Sequence, residues 1–425
     1  MKGRAAGSAI WESGIALPHP GHGSVGSVVV KGIQIPPRTE DFTADPVELF
    51  FDLAYVFAFS QLVGHLVHHP TWEGVGEATL LFLLMWLPWS QFTWAANRVS
   101  GNGRTVRALF LIGTVVSVPM AASVSTAFET GGALFSITLA TIVALGLATM
   151  ALGFETNASE IGTLLKWTWP NVLALVVIVA GGFAENEARV ALWIAGVLII
   201  YAAMIAAGGG EWVVRPGHFA ERHGLIVIIA LGEVIVAIGL PVVTALEAGE
   251  GGIPGDTVAA LAASGVLAAL LWWSYFDRFS PALEYRGERL PDAKAEGRYM
   301  RDVYTWGHAP IVAGVIFAAA ALEEIALHPA DEVSGAFRLM LWGGLALFAA
   351  GAVVSIWRAF RVIPRERPVA LVVIGLLLVL AGSWPGLPLI IAVDVVLFMA
   401  LVFEQLRVEG GNGADAEPGP QPAGT

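Results

Sequence analysis

The stretch Val47–Leu66, VELFFDLAYVFAFSQLVGHL, decides how the chain is read. It is a long apolar run, and a membrane-spanning helix needs about 20 residues at 1.5 Å rise per residue. Yet Glu48, Asp52, Gln61 and His65 interrupt it. An ionisable side chain at the bilayer centre costs roughly 2.5–3.5 kcal/mol on insertion scales, so such residues face protein or water and mark candidate sites. The helix start is legible. Asp45-Pro46-Val47-Glu48 puts an acid at the N-cap, proline at the first helical position and glutamate three residues after the cap, the pattern of a capping box. Glu48 reads first as a cap and second as a site residue. Asp52 lies one turn deeper on the same face, beyond the free amides of the helix start, and needs a partner from another helix or from water.

Composition extends the membrane reading to the whole chain. Of 425 residues, 56% are hydrophobic and only 14% charged, with mean hydropathy +0.71, far outside the range of a soluble globular chain. The chain reads as an all-α, polytopic integral membrane bundle. The lack of cysteine excludes disulfides, thiolate catalysis and thiolate metal sites. A net charge of −12, with the basic residues gathered in a few loops, offers no stripe for nucleic acid.

Twelve apolar stretches reach helix length, at about 47–67, 77–97, 106–126, 131–154, 167–184, 188–208, 224–246, 256–277, 303–326, 334–357, 368–383 and 388–406. With a cytoplasmic amino terminus, the tails and every second loop hold all of the 23 Lys and Arg residues except Arg189 and Arg338, as the positive-inside rule requires. The expected organisation is a flexible cytoplasmic tail (1–44), a six-helix half (45–223), a second half (224–406) and a disordered cytoplasmic tail (407–425). A faint repeat joins the halves. Trp94-Ala95-Ala96-Asn97-Arg98 ends the second span as Ser274-Tyr275-Phe276-Asp277-Arg278 ends the eighth, while Glu48 and Ser60 find counterparts in Glu221 and Glu233. Six spans separate the copies, so the repeats would be parallel, as in some secondary transporters with sites near the midplane where repeats meet.

Four stretches also carry a resemblance. VELFFDLAYVFAFSQL; His218-Phe219-Ala220-Glu221-Arg222-His223-Gly224 running on to Leu231-Gly232-Glu233; Leu271-Trp272-Trp273-Ser274-Tyr275-Phe276-Asp277; and Tyr304-Trp306-Gly307-His308-Ala309-Pro310 occur in the order found in the bacterial low-temperature-requirement A (LtrA) family. The resemblance covers about residues 45–400. It implies a polytopic membrane protein, and the family's name describes a phenotype rather than a reaction.

Among the candidates for chemistry, Glu233 is the sharpest. Nine residues into its expected span, it lies about 13 Å from the cytoplasmic end, near the middle of a hydrocarbon core about 30 Å thick. Ala230, Gly232 and Ala237 allow another helix to approach it closely. It reads as a proton-exchanging carboxyl or as a hydrogen-bond donor between helices. His308, just before Pro310, is a candidate relay or ligand or else an interface histidine. Gly307, Pro310, Gly314, Ala318 and Ala321 form a small-residue stripe that suits a packing seam. Asp394 is a second carboxyl within the membrane, and Glu323 and Glu324 fall near the outer end of the ninth span, where solvent would reach them. Asp277 and Asn97, each followed by Arg, suit interfacial anchoring. Asp52, Asp277, Arg222 and His308 lie on one side and could form one network. Trp86 and Trp89, flanking Pro88, suit a cavity wall or helix packing.

No nucleophile elbow, phosphate-cradling loop or zinc helix is present, so no enzymatic activity is expected. His65, His68 and His69 have metal-like types, but His68 and His69 are adjacent and cannot both project from one helix face, and His19 and His22 sit in the tail; no metal or cofactor is expected at either place. The sequence points to a bacterial inner-membrane protein with both termini in the cytoplasm, acting as a proton-linked transporter of a small solute. Glu233, Asp52, His308, Asp394, Glu48, Asp277 and Gln61 are its candidate proton or substrate residues. A proton or cation channel and a structural membrane protein are the other two classes. The expected partners are the lipid bilayer, protons and a small solute.

Overall fold

The computed structural model describes residues 28–30, 33–35, 43–99, 103–153, 158–207, 214–247 and 252–414. A small antiparallel hairpin, β1 (Val28–Val30) with β2 (Ile33–Ile35), lies in the stretch expected to be a flexible tail. Residues 1–27, 31–32 and 36–42 of that tail and everything after Ala414 lie outside the described residues. From Pro46 onward the structure is helical: α1 (Pro46–His68), α2 (Trp72–Arg98), α3 (Arg104–Ala122), α4 (Gly132–Leu152), α5 (Ala158–Phe183), α6 (Asn186–Ala207), α7 (Pro216–Glu247) and α8 (Gly255–Phe276). Two short helices, α9 (Phe279–Gly287) and α10 (Ala293–Tyr299), and a π-helix (Met300–Trp306) lead into α11 (Gly307–Leu327). Then follow α12 (Gly335–Phe360), α13 (Glu366–Leu380) and α14 (Gly386–Ala414).

Each of the twelve expected spans falls on one of the twelve long helices, and ten described segments are long and apolar enough to cross a membrane. The two helices outside that set are α2, whose Pro88, Ser90, Gln91 and Asn97 dilute its hydropathy, and α13, whose 15 residues reach only about 22 Å. α7 starts at Pro216, well before the expected 224, because its polar first turns find buried partners. α14 runs past the expected end at 406; Glu404 and Arg407 pair there with Arg367 and Glu366 of the α13 start.

α11 is the hub. Its apolar window is 78% buried, against at most 56% in any other candidate span, so it is enclosed where the others face lipid on one side. The small-residue stripe makes its closest contact. A Cβ built on Gly314 would lie 2.6 Å from the Phe348 backbone nitrogen, and one on Gly344 would lie 2.7 Å from the Ala318 nitrogen. Only glycine admits this approach of α11 to α12, and close backbone packing is what holds helices together in lipid.

The helix pairings of the first six long helices largely recur in the second six. α1 packs on α3, α3 on α4, α4 on α5 and α5 on α6; correspondingly α7 packs on α11, α11 on α12, α12 on α13 and α13 on α14. α1 on α2 and α2 on α6 are matched by α7 on α8 and α8 on α14, but α2 on α4 has no comparable counterpart between α8 and α12.

The two basic residues outside the charge partition have structural duties. Arg189 donates from Nη1 to the carbonyls of Ala127 (2.9 Å) and Glu129 (2.8 Å) and from Nε to that of Ala184 (3.1 Å). Arg338 donates to the Gly382 carbonyl just past the end of α13. Both satisfy carbonyls at or beyond helix ends that have no partner within their own helix.

Candidate functional site

The polar residues of the opening stretch meet the first turns of α7. The Asp45 carboxylate accepts from the Val47 amide at 3.1 Å, and Glu48 accepts from the Asp45 amide at 3.2 Å, closing the capping box. Glu48 also does more than cap. Its carboxylate receives His218 Nε2 at 3.1 Å and has Arg222 Nε at 3.4 Å. One turn on, Asp52 and Arg222 form a two-pronged pair, Nη1 to Oδ2 at 2.8 Å and Nη2 to Oδ1 at 2.9 Å, and Trp89 Nε1 donates to the same Oδ1 at 2.9 Å. All four charged or imidazole side chains are fully buried. Two acceptors spaced i, i+4 on α1 therefore face two donors spaced i, i+4 on α7.

The surrounding bonds fix the protons. The Arg215 amide donates to Asn97 Oδ1 at 2.7 Å, which turns the Asn97 amino group toward His218 Nδ1 at 3.0 Å. That nitrogen must accept, so Nε2 carries the hydrogen given to Glu48 and the imidazole is neutral. Arg215 also donates to the Asn97 carbonyl. Asn97 thus acts as a buried connector of α2 to α7 rather than as an interfacial anchor.

Deeper along α1 and α7, Ser60 Oγ donates to Glu233 Oε2 at 2.6 Å. Among the described residues this hydroxyl is the only hydrogen-bond partner of the Glu233 side chain, and no cation pairs with it; Glu323 of α11 adds a like charge nearby. Glu323 and Glu324, expected to be solvated, are half-buried. Glu233 follows Pro216 by 17 residues (233 − 216), about 26 Å along α7 and near its middle. Asp394 on α14 is also buried, and its Oδ1 has no hydrogen-bond partner among the described residues.

His308 occupies an aromatic nest beside the π-helix. Its Nδ1 faces the Val303 carbonyl at 3.0 Å, so Nδ1 carries the hydrogen and Nε2 accepts from the Tyr275 hydroxyl at 2.7 Å. Its ring stacks on Tyr304 at 5.1 Å and meets His223 edge-on at 5.1 Å; His223 in turn lies edge-on to Trp89 at 5.0 Å. The carbonyls freed by the π-helix are taken up by side chains. Val303 O accepts from His308 and Ser355, and Thr305 O accepts from Trp86 Nε1 at 3.1 Å.

The structure thus brings Glu48, Asp52 and Arg222 together, with His308 adjoining through His223. Asp277 stays apart, exposed beside Arg278 at 3.4 Å, and Gln61 is half-buried. His65 Nε2 meets Glu77 Oε2 at 3.0 Å near the opposite helix ends, and among the described residues no group of three or more His, Asp or Glu could hold a metal ion. His218 and His223 were not singled out individually from the sequence. The legible signal was the i, i+4 spacing of His218 and Arg222, which matches that of Glu48 and Asp52; placing the span start at 224 hid it.

A bundle of membrane-length helices with a fully buried carboxylate–guanidinium–imidazole cluster defines a polytopic membrane protein with charge built into its interior. The chain matches the model of the bacterial low temperature requirement A protein (LtrA) over residues 43–402, and it belongs to that family. It is also 29% identical over 360 residues to "Uncharacterized protein RA0937" of Rhizobium meliloti (strain 1021), across 82% of this chain and 86% of that one. No solved structure matches it.

Proposed function

We propose that the protein is a proton-linked transporter of a small solute, seated in the inner (plasma) membrane as twelve spans with both termini cytoplasmic. The observation that carries this reading is Glu233: a carboxyl at mid-helix depth, without a cation, bonded to a hydroxyl from the other half of the chain. A buried carboxylate that lacks a cation is costly to keep ionised. A proton on Glu233 is therefore tied to the α1–α7 interface, and movement of that interface would change how readily the proton leaves.

Parallel repeats fit the same reading. Contacts along α1 and α7 advance together, from Glu48 with His218 through Asp52 with Arg222 to Ser60 with Glu233, so the two helices run side by side in one direction. The recurring helix pairings support an axis along the membrane normal between the halves. The paired and unpaired carboxyls take different roles. Glu48 and Asp52, saturated by donors, clasp the halves at the cytoplasmic end, whereas Glu233 and Asp394 are the groups that exchange protons.

The test is flux in liposomes holding purified protein under an imposed pH gradient, with a panel of solutes and with Glu233→Gln beside wild type. Solute-dependent proton movement that Glu233→Gln abolishes is expected. Glu233-dependent flux needing no solute would favour a channel, and no flux above empty liposomes would favour a structural role.

A further inference from the structure

α13 and α14 pack side by side and antiparallel, and two ion pairs join the start of one to the end of the other. Arg367 Nε donates to Glu404 Oε2 at 3.3 Å, and Arg407 Nη2 donates to Glu366 Oε2 at 3.0 Å. Inward of these pairs the helices part around a groove of about 510 Å³. Ala370 and Ala400 line it with single methyl groups that leave the space between the helices unfilled. The volume is more than three times the roughly 150 Å³ that encloses one benzene ring, so a long hydrocarbon chain has room in it.

The rim is apolar and uncovered. Val369 and Val373 on α13 and Val395, Met399 and Phe403 on α14 are each 43–60% exposed. From Phe403 to Val395 the groove runs 8 residues (403 − 395), about 12 Å along α14. One leaflet of a hydrocarbon core about 30 Å thick measures about 15 Å. The groove therefore has the length of one leaflet's acyl chains.

Its head is cationic. Arg367 cancels Glu404 and Arg407 cancels Glu366, which leaves Arg365 as the surplus charge at this end. Arg365 lines the groove, is exposed, and makes no hydrogen bond or ion pair among the described residues. Glu366 lies close enough to sense it, but Arg407 holds both Glu366 oxygens. A guanidinium at the mouth of a leaflet-long apolar groove matches a phosphate headgroup with its acyl chain. A helix from a second copy would instead have to bury the unmatched charge, which is costly. A zwitterionic headgroup brings a cation of its own, whereas an anionic one leaves Arg365 neutralised.

We propose that the α13–α14 groove binds one anionic phospholipid, with its phosphate on Arg365 and one acyl chain along the groove. In the orientation given above, the lipid belongs to the cytoplasmic leaflet. Its binding is independent of any transport by the protein.

The test is native mass spectrometry of the full chain in detergent, titrated with phosphatidylglycerol or phosphatidylcholine of identical acyl chains. Wild type should hold one phosphatidylglycerol about fivefold more tightly than phosphatidylcholine, the factor that one arginine beside an anionic headgroup gives. Arg365→Gln should remove that preference. Arg361→Gln should keep it, because Arg361 is engaged over the Trp357 ring at 4.3 Å. Val369→Trp, which blocks the groove from an exposed position, should weaken the binding of both lipids. Unchanged thermal melting establishes that the variants fold; if Val369→Trp melts early, Met399→Trp blocks the groove from the other helix. Three results would each overturn the proposal: equal affinity of wild type for the two lipids, equal losses in Arg361→Gln and Arg365→Gln as a diffuse basic border would give, or a protein dimer in place of the one-lipid adduct. Proton flux plays no part in this readout, so the lipid site and the transporter reading can fail separately.

Discussion

Removing one side chain of the Asp52–Arg222 pair should damage the fold far more than removing both. Among the described residues, Asp52→Leu leaves the fully buried Arg222 guanidinium with only the Glu48 oxygen at 3.4 Å, and it strips Trp89 Nε1 of its acceptor. Breaking a buried pair from one side costs about 3–5 kcal/mol. Arg222→Met strands the Asp52 carboxylate at a similar cost. In the double variant no unpaired charge remains at this pair. Glu48 keeps its hydrogen bonds from His218 and the Asp45 amide but loses the Arg222 charge, a cost that the Arg222→Met single and the double variant share; beyond it, the double's main defect is the orphaned indole N–H, worth about 1–3 kcal/mol. Because the Glu48 cost enters both sides, the single losses should together exceed the double's by at least about 3 kcal/mol. The assay is reversible unfolding in mixed micelles by detergent titration, followed by tryptophan fluorescence. A double variant whose loss equals the sum of the singles to within about 0.5 kcal/mol would refute the coupling.

Three further outcomes follow from the packing. Gly314→Ala places a methyl 2.6 Å from the Phe348 nitrogen and should lower the melting temperature markedly, whereas Gly343→Ala, with nothing within 4 Å, should leave it unchanged; equal effects would contradict the α11–α12 seam. Arg189→Ala should cost about 1–2 kcal/mol in the same titration by freeing three carbonyls. A melting curve identical to wild type would show that those bonds contribute nothing. Asp277→Asn, at an exposed pair, should change stability by less than about 0.5 kcal/mol and leave flux intact; a large loss of flux would return Asp277 to the site.

Membrane class and the helix list were legible because each rests on local quantities: apolar run length and capping residues. The Asp45–Glu48 capping box is a case in point. The site was legible in part. Asp52 and Glu233 announced themselves as ionisable groups in apolar runs. Arg222 was legible only as lying on the same side as Asp52; its pairing with Asp52, and that of His218 with Glu48, was not, since both lie where basic residues are expected at a cytoplasmic border and only the packing of α7 on α1 buries them. The π-helix at Met300–Trp306 was also hidden. Pro310 signals an irregularity nearby, but the register change is held by side chains from α2, α11 and α12, and no local pattern records those contacts.

The most direct test of the central claim is difference infrared spectroscopy of the purified protein in lipid through a pH jump, comparing wild type with Glu233→Gln. Wild type should show a protonated-carboxyl C=O band that disappears on alkalinisation and returns on acidification, and Glu233→Gln should lack it. A spectrum identical in the two proteins would mean that Glu233 exchanges no proton, and the carboxyl would then be a fixed strut between α1 and α7.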